Sequence, residues 1–349
     1  MKFGKKLILW YLENKRSMPW RETRDPYSIW LSEIILQQTR VAQGLPYYLS
    51  FKSAFPTVFD LAAAPEEKVL KLWQGLGYYS RARNLHATAK YVADELGGTF
   101  PDSYASLLLL KGVGDYTASA IASICYDEAV PVVDGNVYRV LSRYLGVATP
   151  INTTQGVKEF KQLAKALLEV KEPATYNQAI MEFGALQCKP QSPDCTQCVL
   201  DSDCVALKEK KVGELPVKLK KQKIKKRYFS YLIIQTNEET ILQQRTGKGI
   251  WQGLYEFPLV ETSAPISYEE LKKASVFTEL LGAQTYELSL YKEEAVIHKL
   301  SHQHLYTWFY VVQVQCLPLL SAPHQKVRLS DVERYPVPIL IGNFIEAFF

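Results

Sequence analysis

The hydrophobic and polar positions of this chain follow two different rhythms. In residues 1–16, charges are scattered through apolar residues, which predicts an amphipathic first helix. In residues 27–41, Ile29, Trp30, Glu33 and Leu36/Gln37 recur at three- and four-residue steps, so a helix there carries Glu33 on or beside its apolar face. Residues 107–139 read as a helix end, a Gly112-Val113-Gly114 turn, and a second helix kept slim by Thr117, Ala118 and Ala120. An apolar run follows and breaks at Asp134. Beyond residue 227 the period shortens. Residues 228–236, 240–245 and 305–315 are rich in β-branched and aromatic side chains and predict strands, with a helix over 268–281.

Between the two regimes lies a charge run. Residues 208–227 hold ten basic side chains against Glu209 and Glu214, with little apolar content, which predicts a solvated connector that would also lie well along a phosphate backbone. The expected domains are therefore residues 1–207, helical, and residues 228–349, mixed α/β, joined by a basic linker over 208–227. With 349 residues, 47% of them apolar, the chain is long enough for two or three ordinary cores. No apolar run approaches the roughly 18 residues of a membrane span, and the N-terminus has no small-residue cleavage site, so neither a membrane protein nor a secretory signal is expected. The net charge of +5 permits a nucleic-acid partner without requiring one.

Four of the six cysteines crowd together as Cys188-x6-Cys195-x2-Cys198-x5-Cys204, while Cys125 and Cys316 stand alone. Such clustering favours a metal in a reducing compartment over a disulfide framework. By spacing alone, the four thiolates would suit a tetrahedral zinc or a cubane iron–sulfur cluster.

The remaining chemistry is carried by pairs. Gly112 and Gly114 precede a helix whose unpaired N–H groups would hold a phosphate oxygen, although such a turn also serves plain helix packing. Glu33 on an apolar face would have its pKa raised towards that of a general acid, whereas a solvated Glu is the commoner fate of any single one. Asp134 before Gly135-Asn136 suits either a helix cap or a second carboxylate aimed at the same cleft. Residues 72–85 place two glycines and two tyrosines ahead of Arg81 and Arg83, a turn suited to wedging and to phosphate contact.

Leu110-Lys111-Gly112-Val113-Gly114, followed by Asp134, resembles the helix-hairpin-helix of the endonuclease III superfamily of DNA repair glycosylases. Lys111 stands where Pro is usual, and Asp115 where a basic residue is common. Trp30-Leu31-Ser32-Glu33-Ile34-Ile35-Leu36-Gln37-Gln38-Thr39 and Pro19-Trp20-Arg21 resemble segments of MutY-type adenine DNA glycosylases. The resemblance implies that Glu33 protonates adenine, that Asp134 stabilises the sugar cation with Asn136 orienting it or the water, and that Arg21 and Gln178 line the base pocket. It further implies that Gln37 and Gln38 fill the space near the extruded base, that Tyr78 wedges beside the damaged guanine, and that Arg81 and Arg83 belong to the same DNA-contacting element. Tyr116 stands where bifunctional relatives carry a Schiff-base lysine, so base removal without strand cleavage is implied. The cysteine spacing (188–204) resembles that superfamily's [4Fe–4S] loop, which makes an iron–sulfur cluster the implied cofactor.

In the C-terminal part, residues 249–258 resemble the Trp-Glu-Phe-Pro region of a Nudix-like domain. Residues 269–274 lack the metal-binding carboxylates of true Nudix hydrolases, so no such hydrolase activity is implied. Leu300-Ser301-His302 resembles a Phe-Ser-His loop that senses 8-oxoguanine. The fold expected is multi-domain: an all-α helix-hairpin-helix glycosylase domain (hairpin 107–139) with a [4Fe–4S] loop, and an α/β Nudix-like lesion-recognition domain. The expected function is monofunctional excision of adenine mispaired with 8-oxoguanine or guanine in double-stranded DNA, by a monomer at the bacterial nucleoid in the cytoplasm. Two alternatives remain: an endonuclease III-like pyrimidine glycosylase with lyase activity, against which Tyr116 argues, and a non-catalytic lesion-binding protein, which needs no paired carboxylates.

Overall fold

The computed structural model describes residues 2–219 and 224–349, so positions 220–223 of the basic run lie outside the described residues. The chain divides into two compact units, Met1–Ala63 with Asn84–Lys220 and Ala64–Arg83 with Lys221–Phe349.

The first unit is helical. Its centre is the helix Pro173–Leu186, which packs on Phe3–Asn14, on Asp115–Tyr126 and on Gly135–Leu145. Ala179, Ile180 and Phe183 are buried along it, and Trp10 from the first helix meets the Phe183 ring edge-on at 5.0 Å. Close approach is possible because Asp115–Tyr126 presents Ala118, Ala120 and Ala122, all fully buried. Pro26–Leu36 packs against that same slim helix. Gly135–Leu145 turns Val137, Val140 and Leu141 inward at three- and four-residue steps and stops at Gly146 (φ +72°), where an added Cβ would stand 2.5 Å from Val205.

The second unit is built on an eight-stranded sheet: β1 (Lys225–Gln235), β2 (Glu239–Gln244), β3 (Tyr255–Glu256), β4 (Leu259–Thr262), β5 (Tyr286–Leu290), β6 (Val296–Lys299), β7 (Gln303–Val314) and β8 (His324–Arg328). The order is β3-β2-β1-β7-β5, with β4 on β1, β6 on β7 and β8 on β2. β1 and β7 run parallel from Lys225↔Gln303 to Gln235↔Gln313, and the other pairs are antiparallel. Both faces of this centre are covered, which is why residues 229–234 are buried without interruption. Leu232, Ile234 and Val312 face Leu271, Phe277 and Leu281, while Phe309 on the other face stacks on Phe344 of the helix Ile339–Phe348 at 4.1 Å.

Two expectations change in detail. The helix over 268–281 is two, Tyr268–Lys272 and Ser275–Leu281, with Ala274 extended between them. A continuous helix would turn Leu271 and Phe277 about 240° apart, and the break lets both enter one core. The strand rhythm starts at Lys225, inside the basic run, because the ladder to β7 extends past the apolar residues.

Candidate active site

Glu33 sits on Pro26–Leu36, a helix started by Pro26 and capped by the Asp25 carboxylate, which accepts from the Ser28 amide at 3.0 Å. The residues on either side of Glu33, from Tyr27 to Ser32 and then Ile34 and Ile35, are buried, whereas Glu33 keeps part of its surface open. The helix ends at Leu36. Gln37 donates from Nε2 to the Thr117 hydroxyl at 3.2 Å, and Gln38, exposed and at φ +56°, turns the chain away.

Asp134 is the N-cap of Gly135–Leu145. Its Oδ1 accepts from the amides of Asn136 (2.9 Å) and Val137 (2.7 Å), and its Oδ2 from Asn136 Nδ2 at 2.8 Å. The Asn136 side-chain oxygen Oδ1 accepts from Arg139 Nη2 at 2.8 Å, so the amide's orientation is set and with it the carboxylate's. Asp134 is thus a helix cap whose carboxylate also lines a cavity. Burial raises its pKa, against the pull of the three N–H donors.

Both carboxylates line one cavity of about 950 Å³ with Arg21, Gln37, Gln38, Tyr116, Asn136 and Gln178. Burial moves the Glu33 pKa from an ordinary 4.5 to about 7. The Tyr116 hydroxyl bonded to it and the Arg21 cation pull it down, and the Asp134 charge adds to the rise. Tyr116, itself pushed well above its ordinary range by burial beside these carboxylates, stays a neutral phenol, with its hydroxyl also 3.2 Å from Met181 Sδ. Gln178 accepts from the Tyr11 hydroxyl at 2.5 Å. Among the described residues no lysine lines the cavity.

Sequence reasoning missed Arg16 and Glu182 in the same wall. Glu182, 1% exposed, accepts from Arg16 Nε and Nη2 (2.8 and 2.6 Å) and from Arg21 Nη1 and Nη2 (2.9 and 2.8 Å). Its position four residues after Gln178 on one helix was the available signal.

The hairpin lies on this unit too. Gly112 has φ +80°, and a Cβ there would come within 2.7 Å of Asn84. Gly114 is exposed and no side chain caps the helix that follows. Asp115 is engaged by the Tyr104 hydroxyl and by Lys161.

The second unit gathers another set. Tyr78, exposed and at φ +47°, lines a cavity of about 340 Å³ with Arg83, Trp251, Ser301 and His302. Ser301 Oγ lies 2.7 Å from His302 Nδ1, and both residues are exposed. Arg83 Nη1 donates to the Gln252 carbonyl at 2.5 Å. Arg81 departs from the phosphate contact expected of it: it is buried over the Trp73 ring and donates to the carbonyls of Leu76 (3.3 Å) and Gly77 (3.2 Å), so its charge shapes the turn that carries Tyr78.

Cys188, Cys195, Cys198 and Cys204 line one small hollow with Arg143. Arg143 Nη1 stands 3.4 Å from Cys188 Sγ and donates to the Lys189 carbonyl at 2.7 Å, Nη2 donates to that of Pro190 and Nε to that of Leu215. Among the described residues no three His, Cys, Asp or Glu side chains are grouped to hold a single metal ion. No helix among them is long and apolar enough to cross a membrane.

Comparison with known proteins matches residues 31–168 to the HhH-GPD superfamily of base excision DNA repair proteins and residues 230–347 to the NUDIX domain. An adenine DNA glycosylase of Buchnera aphidicola subsp. Schizaphis graminum (strain Sg) is 34% identical over 78% of this chain and 79% of its own. That of Buchnera aphidicola subsp. Baizongia pistaciae (strain Bp) is 33% identical over 91% and 93%. The solved structure of a thermostable thymine-DNA glycosylase superposes with a TM-score of 0.55 at 29% identity, covering 59% of this chain and 95% of that one. The fold is thus a helix-hairpin-helix domain followed by a Nudix-like α/β domain, and the chain belongs to the adenine DNA glycosylase family.

Proposed function

We propose that this chain hydrolyses the N-glycosidic bond of adenine opposite 8-oxoguanine, and opposite guanine, leaving an abasic site. The observation that carries the reading is the single cavity holding Glu33 and Asp134 with Tyr116 and Arg21. An adenine swung out of the duplex would enter it. Glu33, with a pKa of about 7, is substantially protonated at neutral pH and would pass its hydrogen to a ring nitrogen, making the base a neutral leaving group. Asp134, held by three N–H donors at a helix N-terminus, would face the oxocarbenium-like sugar until water adds. Gln37, Gln38 and Gln178 are the polar groups available to the base and the space it vacates.

The lack of a lysine among the described cavity residues, and Tyr116 where a Schiff-base amine would stand, favour base removal over a lyase step. The helix start at Gly114 and Asp115, where both residues are exposed and no side chain caps the amides, would hold a DNA phosphate. For the opposite base, Tyr78 would wedge the stack while Ser301 and His302 offer hydrogen bonds to the modified edge, and their shared cavity supports this.

The cysteine hollow fits a [4Fe–4S] cluster: Cys188, Cys195, Cys198 and Cys204 would hold it, and the Arg143 guanidinium beside Cys188 would balance thiolate charge. Bound, such a group supplies a rigid cross-link and a redox-capable centre. The four thiols belong to a loop that Arg143 pins from within the glycosylase unit.

The test is a strand assay on a duplex with one adenine opposite 8-oxoguanine. Cleavage seen only after alkali is the expected result. Cleavage without alkali, or none in either case, would overturn the reading.

A further inference from the structure

Glu182 touches neither Glu33 nor Asp134 in any described bond, yet it is a fully buried carboxylate in the wall of their cavity. An ion so buried is tolerated only when paired and hydrogen-bonded. Here two guanidiniums share it: Arg16 and Arg21 each grip both oxygens, and the Arg16 amide adds a fifth bond at 3.1 Å. Arg21 Nη1 also donates to the Arg16 carbonyl at 3.0 Å. Two cations and one anion leave the cluster with a net charge of +1, held in one geometry.

We propose that Glu182 is a positioning residue that clamps Arg16 and Arg21 together and so sets the positive field facing the acid Glu33. The inference rests on the glycosylase reading of Glu33. The groups acting on Glu33 are Tyr116 from the hairpin helix, Asp134 from the cap of the next helix and Arg21 from the turn before its own helix, while Glu33 in turn acts on the Cys125 thiol. Of these, Arg21 is the cation, and its side chain is fixed by Glu182. The two arginines hold Glu182 ionised, at about 2, against the burial that would raise it.

Charge arithmetic then gives opposite signs for two substitutions. Glu182→Gln leaves +2 in the wall, favours ionised Glu33 and moves the alkaline limb of the excision profile to lower pH. Arg16→Met leaves a neutral Arg21–Glu182 pair and moves the limb to higher pH. Each shift is expected to be roughly a few tenths of a pH unit, since the charge removed lies beyond Arg21, the cation that acts on Glu33.

The experiment is single-turnover adenine release from the lesion duplex across pH 5–9 by the full chain and by Glu182→Gln, Arg16→Met and Glu182→Asp. Opposite shifts, with Glu182→Asp near the parent limb, are the expected result. If Glu182→Gln does not fold, the direction of the Arg16→Met limb decides. A uniform loss of rate with an unmoved limb, or two shifts of the same sign, overturns the proposal. No adenine release by the unaltered chain would instead defeat the glycosylase reading.

Discussion

The Tyr116 hydroxyl is hydrogen-bonded to the Glu33 carboxyl, joining the helix after the glycine turn to the helix that carries the acid. Burial beside this carboxyl pushes the phenol well above its ordinary range, so it stays a neutral hydrogen-bond partner of Glu33.

Glu33→Gln is expected to abolish excision, by at least 10²-fold as for loss of a general acid, while duplex binding measured by gel shift persists. The pH dependence has a definite sign. The folded chain holds a proton on Glu33 up to about pH 7, whereas the unfolded chain releases it near 4.5. Stability from the neutral form is thus full below 4.5 and is lost as pH rises through 7. Glu33→Gln should escape that loss, and its Tm should exceed the parent's at pH 8 more than at pH 5. The shift bounds the effect at about 3 kcal/mol. Equal differences at both pH values would contradict it.

Gly184→Ala tests the support of Asp134. An added Cβ would stand 2.7 Å from Asn136 Cβ and 3.0 Å from its carbonyl oxygen, so the segment holding the carboxylate must move. A stability cost of about 1–3 kcal/mol and a loss of excision of tenfold or more are expected, measured by denaturant unfolding and single-turnover release. Unchanged excision would show that the site tolerates the shift.

Arg143→Ala removes four bonds that tie Leu215, Cys188, Lys189 and Pro190 to Gly135–Leu145. A cost of about 2–4 kcal/mol is expected for so many charge-assisted contacts. Absorbance near 400 nm should also fall if the hollow holds an iron–sulfur cluster. Lysine should not rescue, since a single ammonium cannot span those acceptors. Full colour and stability in Arg143→Ala would contradict both expectations.

Replacing Ser301 and His302 together by alanine should lower excision opposite 8-oxoguanine while sparing that opposite guanine. The loss of one or two hydrogen bonds to the lesion corresponds to about 1–3 kcal/mol, or roughly 5- to 150-fold in the ratio. Competition between the two duplexes in one reaction reads that ratio directly, and an unmoved ratio removes the pair from lesion reading.

Much of this was legible in the chain as written. Glycines bounding a slim helix, a carboxyl amid apolar neighbours, four closely spaced thiols and the change of period after the basic run are local features, set by residue type and spacing over a few turns. The short strands Tyr255–Glu256, Leu259–Thr262, Tyr286–Leu290, Val296–Lys299 and His324–Arg328 were not. They pair with β1, β2 and β7, and their ladder bonds come from partners distant in sequence.

Only the tertiary structure decided where charge ends up. Arg81 and Arg83 look alike beside Tyr78, yet one is buried over Trp73 and the other reaches Gln252. Glu182 reads as an ordinary helix glutamate until Arg16 and Arg21, more than 160 positions earlier, converge on it. Residue type states which charge is present. The energy of that charge depends on what lies within a few ångströms and how much water is excluded, and folding alone assembles those surroundings.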